Sequence, residues 1–294
     1  MAMQILVTGS TGFVGGVVVE EWSDDVLCWP RAVDLRDRGA VELYVKKQKN
    51  DFDAVLHLAA QSDPHLSMSR PIETWNVNLL GTVHLLEALA KTGWSGSVLF
   101  ASSGAVYGGV TGQITESSPV APGTPYVASK LAAEIAVTEW GRRTENRVVV
   151  ARAFNHSGPG QSTNFFLPSM AKQISELPET GGEIEVGNLA VQRDFSHVRD
   201  VVNGYRALLE RGKDGEIYNL ASGRSVDLKY LLEQMARLAH RRVVTRVTPE
   251  RYRDDDTGPV QVSLDKIRRD TGWSPQIGLE ELLRDVVSDW TKKD

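Results

Sequence analysis

Thr8-Gly9-Ser10-Thr11-Gly12-Phe13-Val14-Gly15 is the stretch that decides how this chain folds. It follows Gln4-Ile5-Leu6-Val7, an apolar run that reads as a strand, and it opens a helical stretch. Its glycines fall at a G-x-x-G-x-x-G spacing. Without Cβ atoms the backbone can turn tightly and approach a pyrophosphate, whose charge then lies at the partial positive end of the helix. A glycine triplet alone is as often a plain turn. The strand before it, the helix after it and its place near the N-terminus predict a dinucleotide-binding loop, with Gly9, Thr11, Gly12, Phe13, Val14 and Gly15 against the cofactor.

Working outward, short apolar runs at 5–7, 26–29, 54–58, 98–101 and 148–151 alternate with helical patterns that include 79–90 and 127–140. The alternation predicts an α/β fold, a Rossmann-type doubly wound parallel sheet with helices on both faces. After about residue 155, Gly158-Pro159-Gly160, Pro168, Pro178 and Gly181-Gly182 break any long element. Regular patterns return as a strand at 216–220 and helices at 227–239 and 279–290. The expected organisation is a cofactor domain over 1–155, with returning segments at about 187–212 and 260–275. A smaller C-terminal substrate-binding α/β domain would take about 156–186 and 213–294.

With 294 residues, 41% hydrophobic and 24% charged, the chain can bury a substantial core. A net charge of −5 and a pI near 5.8 leave no basic excess for a polynucleotide, so no nucleic-acid partner is expected, although a local pocket could still hold a small anion. Cys28 is the only cysteine, which rules out an internal disulfide framework and a multi-cysteine metal site; no metal is expected. The N-terminus lacks the basic start and long apolar core of a signal peptide, and no apolar run approaches the ~20 residues of a membrane span. A cytoplasmic protein without a membrane partner is the expectation.

The second strand ends Cys28-Trp29-Pro30-Arg31, without the acidic residue that commonly holds a ribose 2′-hydroxyl. Arg31 could pair with a 2′-phosphate and favour NADP over NAD, or be a solvated loop residue. Asp34 and Leu35 could contact the adenine.

Tyr126-Val127-Ala128-Ser129-Lys130 opens a helical pattern, so phenol and ammonium share one face. A free tyrosine titrates at about 10, and a nearby positive charge favours its ionised form. Such a phenol can give a proton to a carbonyl as hydride arrives. Alone, Y-x-x-x-K is common on helix surfaces. Upstream, however, Phe100-Ala101-Ser102-Ser103-Gly104-Ala105-Val106-Tyr107-Gly108 follows a strand, at the carboxyl end where open α/β sheets bind ligands, and a serine hydroxyl there can hold the substrate oxygen.

These three features in this order resemble the extended short-chain dehydrogenase/reductases, the family of NAD-dependent epimerases, dehydratases and reductases of nucleotide sugars, over nearly the whole chain. The resemblance implies a catalytic set of Ser103, Tyr126 and Lys130. It places Leu58, Ala59 and Ala60 of Leu56-His57-Leu58-Ala59-Ala60-Gln61 beside the cofactor, along with Asn78, Ala101, Ser102, Ala153 and Asn155. For the substrate it implies Gln61, Ser103, Gly104, Tyr126 and Asn155, with Arg193 of Gln192-Arg193-Asp194-Phe195 and Arg253, ahead of Thr271-Gly272-Trp273-Ser274-Pro275, on the pyrophosphate. It also suggests a homodimer through the helices at 79–90 and 127–140, unless their apolar faces simply pack on the sheet.

In the dehydratases of this family an acidic pair follows the catalytic hydroxyl; Gly104 and Ala105 stand there. Elimination of water therefore lacks its proton carriers. Phe154-Asn155-His156 and Val198-Arg199-Asp200-Val201-Val202 look most like the GDP-4-keto-6-deoxy-D-mannose reductases, which consume reduced cofactor to form GDP-D-rhamnose; Ser157 and Ala105 depart from that pattern. A dTDP-4-keto-6-deoxysugar reductase and a nucleotide-sugar 4-epimerase are the alternatives. A dinucleotide-sensing regulator is a third, although such a protein would be expected to have lost the tyrosine or the lysine.

Overall fold

In a computed structural model that describes residues 3–249 and 260–291, the first strand, β1 (Ile5–Thr8), is buried along its whole length. A strand buried on both faces needs a helical layer above and below it, and the chain supplies both by alternation. After β1 come α1 (Phe13–Glu21), β2 (Val26–Cys28), α2 (Arg38–Gln48) and β3 (Ala54–His57). Then α3 (Pro64–Ser69), α4 (Pro71–Trp75) and α5 (Gly81–Lys91) follow, the last two joined by a π-helical turn at Asn76–Leu80. Next are β4 (Ser97–Ser103), β5 (Gly112–Ile114), α6 (Pro125–Thr144), β6 (Arg147–Ala153) and β7 (Asn155–Ser157). The remainder is α7 (Phe166–Ser175), β8 (Gly182–Val186), β9 (Gln192–His197), α8 (Val198–Arg211), β10 (Glu216–Leu220), β11 (Ser225–Asp227), α9 (Leu228–Leu238), β12 (Val243–Val247), β13 (Val260–Val262), α10 (Asp265–Thr271) and α11 (Leu279–Thr291).

The central sheet is parallel throughout, in the order β10-β6-β4-β3-β1-β2. Successive side chains of each strand point to opposite faces. Ile5, Val7, Leu56 and Leu99 therefore join one core with Tyr205 and Leu208 of α8, whereas Leu6, Val55, Val98 and Phe100 join another with Leu85 and Leu89 of α5 and Trp140 of α6. Because the strands run the same way, all their carboxyl ends share one edge. The chain leaves β1 towards β2 and returns on the other side at β3, so a crevice opens beside the carboxyl end of β1.

A third core lies in the C-terminal part: Leu167 and Ile174 of α7, Leu231 of α9 and Leu282 and Val286 of α11. A small sheet of order β11-β9-β7 lies against it through Phe195 and Val226. One placement departs from the expected organisation. The strand at 216–220, assigned to the smaller unit, pairs with β6 at the edge of the central sheet, because Tyr218 and Leu220 are fully buried in its first core. Among the described residues no helix is long and apolar enough to cross a membrane.

Candidate active site

The glycine loop is wound as tightly as its sequence suggests. Gly9 has φ +71°, and a Cβ on it would stand 2.8 Å from the Ala59 nitrogen. A Cβ on Gly15 would stand 2.1 Å from the Gly9 carbonyl oxygen, and Gly12 N–H donates to that same oxygen at 2.9 Å. The loop is thus seated on Leu58 and Ala59 with backbone against backbone.

A buried hydrogen-bonded chain fixes this seat. Thr82 Oγ1 donates to the Asn78 carbonyl at 2.7 Å, so its oxygen is free to accept from His57 Nε2 at 2.9 Å. His57 Nδ1 is then the acceptor for the Thr8 hydroxyl at 2.6 Å, and Thr8 Oγ1 accepts from Ala59 N–H at 3.2 Å. This directionality needs a neutral imidazole. Burial, helped by the charge of Lys130, pulls His57 down to about 3 and keeps it neutral.

At the end of β2, Arg31 is exposed and has no hydrogen bond or ion pair among the described residues, so its guanidinium is available. Asp34 is engaged by Arg36, whose Nη2 lies 2.6 Å from its carboxylate, and the Arg36 hydrogen bonds hold Asp34 below its ordinary value. Leu35 is buried; its carbonyl bonds to His84 at 2.9 Å.

Thr124 caps α6, accepting from Val127 N–H at 3.3 Å with Pro125 in the first helical position, and this places Tyr126 in the first turn. Lys130 lies one turn on, only 3% exposed, with its ammonium 4.4 Å from the centre of the Phe100 ring. Ser103 ends β4, in register with Ala153 of β6. Burial raises the Tyr126 phenol, and the neighbouring Ser103 hydroxyl acts against that rise. The lowering by Lys130 expected from the spacing is absent: dehydration of the phenol outweighs a charge that is turned towards Phe100. The phenol consequently keeps its proton at neutral pH, the form a proton donor needs.

Beside Ser103, a Cβ on Gly104 would stand 2.7 Å from the Phe154 ring. That ring is stacked on Tyr107, at 6.0 Å between centres, and the Tyr107 hydroxyl donates to Asn219 at 2.8 Å. The place where a side chain at 104 would go is filled by an aromatic ring that is itself held.

Known proteins resemble this chain along nearly its whole length. The profile of the NAD dependent epimerase/dehydratase family covers residues 5–221. The chain belongs to that family. It is 36% identical to the GDP-6-deoxy-D-mannose reductase of Pseudomonas aeruginosa over 100% of this chain and 99% of that protein. The structure of RMD from Pseudomonas aeruginosa complexed with NADPH superposes with a TM-score of 0.89, at 35% identity, covering 99% of this chain and all (100%) of that one. Similarity extends to the dTDP-D-glucose 4,6-dehydratase of Mus musculus, 30% identical over 100% of this chain and 90% of the relative.

Two side chains that the family pattern puts beside the cofactor are occupied elsewhere. Asn78 is 1% exposed; its amide accepts from Gln61 N–H at 2.8 Å and donates to the Gln61 carbonyl and to Ser129 Oγ, which in turn donates to the Tyr126 carbonyl. Asn78 therefore braces α6 against the segment after β3, with both amide hydrogens already donated. The Ser102 hydroxyl points away from the crevice onto Glu134 of α6. Gln61 retains a buried Oε1 without a partner. On the small sheet, Asn155 donates to the Asp194 carbonyl at 3.2 Å, and Arg193 is half-buried on the adjacent strand with one guanidinium nitrogen on the Gln192 carbonyl. Arg253 lies outside the described residues.

Sequence reasoning missed Glu134 and its partner Arg152. A signal was present: Glu134 continues the Tyr126, Lys130 series by one further helical turn.

Proposed function

We propose that this chain is an NADPH-dependent reductase that converts the 4-keto group of GDP-4-keto-6-deoxy-D-mannose into the alcohol of GDP-D-rhamnose. The observation that carries this reading is the edge of β4, where Tyr126 offers one proton beside Ser103 while Gly104 and Ala105 offer no acid or base for removing water. Likeness to the Pseudomonas aeruginosa reductase along both full lengths supports the base and the sugar. NADPH in the RMD structure, together with the unengaged Arg31, supports the phosphorylated cofactor.

The cradle suits a pyrophosphate, since Gly9 and Gly15 leave no room for a Cβ and the first turn of α1 carries no acidic residue. Bound there, a reduced nicotinamide supplies the hydride taken up at C4. Tyr126 gives its proton to O4, Ser103 holds that oxygen, and Lys130 supports the phenol from the next turn. One C–H and one O–H bond would form as the carbonyl π bond, the C–H bond of the hydride donor and the phenol O–H bond break, so that the carbonyl is reduced by the two electrons of the hydride. Asn155, Arg193 and Arg253 would hold the diphosphate, with the nucleotide received by the unit centred on α7, α9 and α11.

Supplied with GDP-4-keto-6-deoxymannose, the protein is expected to oxidise one equivalent of NADPH per sugar, and supplied with GDP-mannose, none. An epimerase returns its hydride to the same sugar, so cofactor that stays reduced while the keto-sugar is present would overturn the assignment. In the same assay Arg31→Ala should lower the preference for NADPH over NADH; a preference that does not move removes Arg31 from the 2′-phosphate.

We also propose a homodimer in a cytoplasmic setting, the latter supported by the single, exposed thiol of Cys28. Met68, Ile72, Leu80 and Ile135 are 63, 75, 46 and 66% exposed on α3, α4, the π turn and α6, which pack on one another. Light scattering should give twice the chain mass of 32.3 kDa; a monomer at micromolar concentration rejects the dimer.

A further inference from the structure

Glu134 is a carboxylate 3% exposed, two helical turns beyond Tyr126 and one beyond Lys130, and the reaction as derived makes no use of it. Burying a charge is unfavourable unless it is paired and hydrogen-bonded. Here the pairing is complete. Arg152 of β6 reaches Glu134 with Nε at 3.0 Å and Nη2 at 2.7 Å, both side chains being about 95% buried, at 5 and 4% exposure. Burial works against the Arg152 guanidinium, but the Glu134 hydrogen bonds and charge outweigh it and hold it above its usual value. The same guanidinium stands 4.8 Å from the centre of the Tyr107 ring. The Ser102 hydroxyl donates to Glu134 Oε1. Ser102 immediately precedes Ser103, so one carboxylate joins the helix that carries Tyr126 and Lys130 to the strand that carries Ser103 and to the strand beside it.

We propose that Glu134 is a positioning residue of the reductase, setting the strand end of Ser103 against the helix of Tyr126 and placing a buried carboxylate one helical turn from the Lys130 ammonium. The inference rests on the proposed reductase reading for its catalytic consequence, but not for its effect on Lys130. The titratable and charged groups around Lys130 are few. On α6 they are Tyr126 and Glu134, on β3 the neutral His57, on β6 Arg152, the ion-pair partner of Glu134 with a charge of opposite sign, and on α8 Tyr205, which neighbours Tyr126; β4 presents the Phe100 ring and serine hydroxyls. Burial brings Lys130 down to about 8, and Glu134 is the charge that opposes this. Without it, burial acts alone and the ammonium gives up its proton more readily.

The test follows Lys130 directly, by 13Cε-lysine NMR of the NADPH-bound protein with the signal assigned from the Lys130→Met spectrum. Wild type should titrate at about 8. Glu134→Gln should titrate lower by about one pH unit, and the alkaline limb of kcat for keto-sugar reduction should move with it. Glu134→Asp should return the midpoint towards wild type. Ser102→Ala, which removes the tie and leaves the charge, should lower kcat without moving the midpoint. If Glu134→Gln fails to fold because Arg152 is left uncompensated, Glu134→Gln/Arg152→Met removes both charges and should lower the midpoint by less than about one pH unit but still measurably, because Glu134 is one helical turn from Lys130 on the same helix. A folded variant whose Lys130 midpoint equals that of wild type overturns the charge role, and Ser102→Ala with wild-type kcat overturns the tie. A protein that never reduces the keto-sugar would refute the functional reading, while the NMR titration would still decide the role of Glu134 towards Lys130.

Discussion

Tyr126→Phe is expected to lower keto-sugar turnover by roughly a hundredfold or more, the scale of a lost general acid. The magnitude follows from the crowding of the site. Ser103 is an aliphatic alcohol, a far weaker acid than a phenol, Gly104 and Ala105 have no titratable side chain, and Lys130 lies against Phe100, so none of these is placed to take over delivery to O4. The ring itself can stay, because Phe keeps the packing of Tyr126 against the small apolar cluster of Val106, Tyr107, Ile114 and Val127. Fold and NADPH binding should therefore be those of wild type. Steady-state turnover and fluorescence titration of NADPH measure the two separately. A Phe variant that turns over normally removes Tyr126 from its role, and one that loses cofactor binding shows instead that the phenol has been mistaken for a structural group.

Gly15→Ala carries the second large effect. Its Cβ would be placed 2.1 Å from the Gly9 oxygen and 2.7 Å from Ser10 Cα, both backbone atoms of the loop that must receive a pyrophosphate. Neither can rotate away as a side chain would. Overpacking of this kind costs about 3 kcal/mol or more, which corresponds to roughly a hundredfold in affinity if it is paid at the loop. Gly16 offers the control, with nothing within 4 Å of its Cβ position in the same helix. Gly16→Ala should be neutral or stabilise by about 0.5–1 kcal/mol, because alanine loses less freedom than glycine on entering a helix. NADPH titration and thermal melts of the two variants decide the matter: equal affinity for Gly15→Ala and Gly16→Ala would mean that the loop does not cradle the cofactor.

By itself the sequence determined the parallel α/β architecture and the tight glycine turn, and it put forward Ser103, Tyr126 and Lys130 as the candidate catalytic set. Each is written locally: an apolar run of strand length, a helical period, a glycine where the backbone must close, or two residues one helical turn apart. The tertiary structure alone decided four other matters, all of which depend on residues distant in the chain. Strand β10 joined the central sheet because Tyr218 and Leu220 found their burial there. Asn78 became a brace because Gln61 and Ser129 meet its amide from two other segments. Position 104 is closed by Phe154, fifty residues along the chain. The phenol of Tyr126 moved up where spacing to Lys130 suggested down. Spacing shows which groups share a helix face, but the sign of a pKa shift is set by how much water is removed and where the neighbouring charge points, and both are properties of the packed molecule.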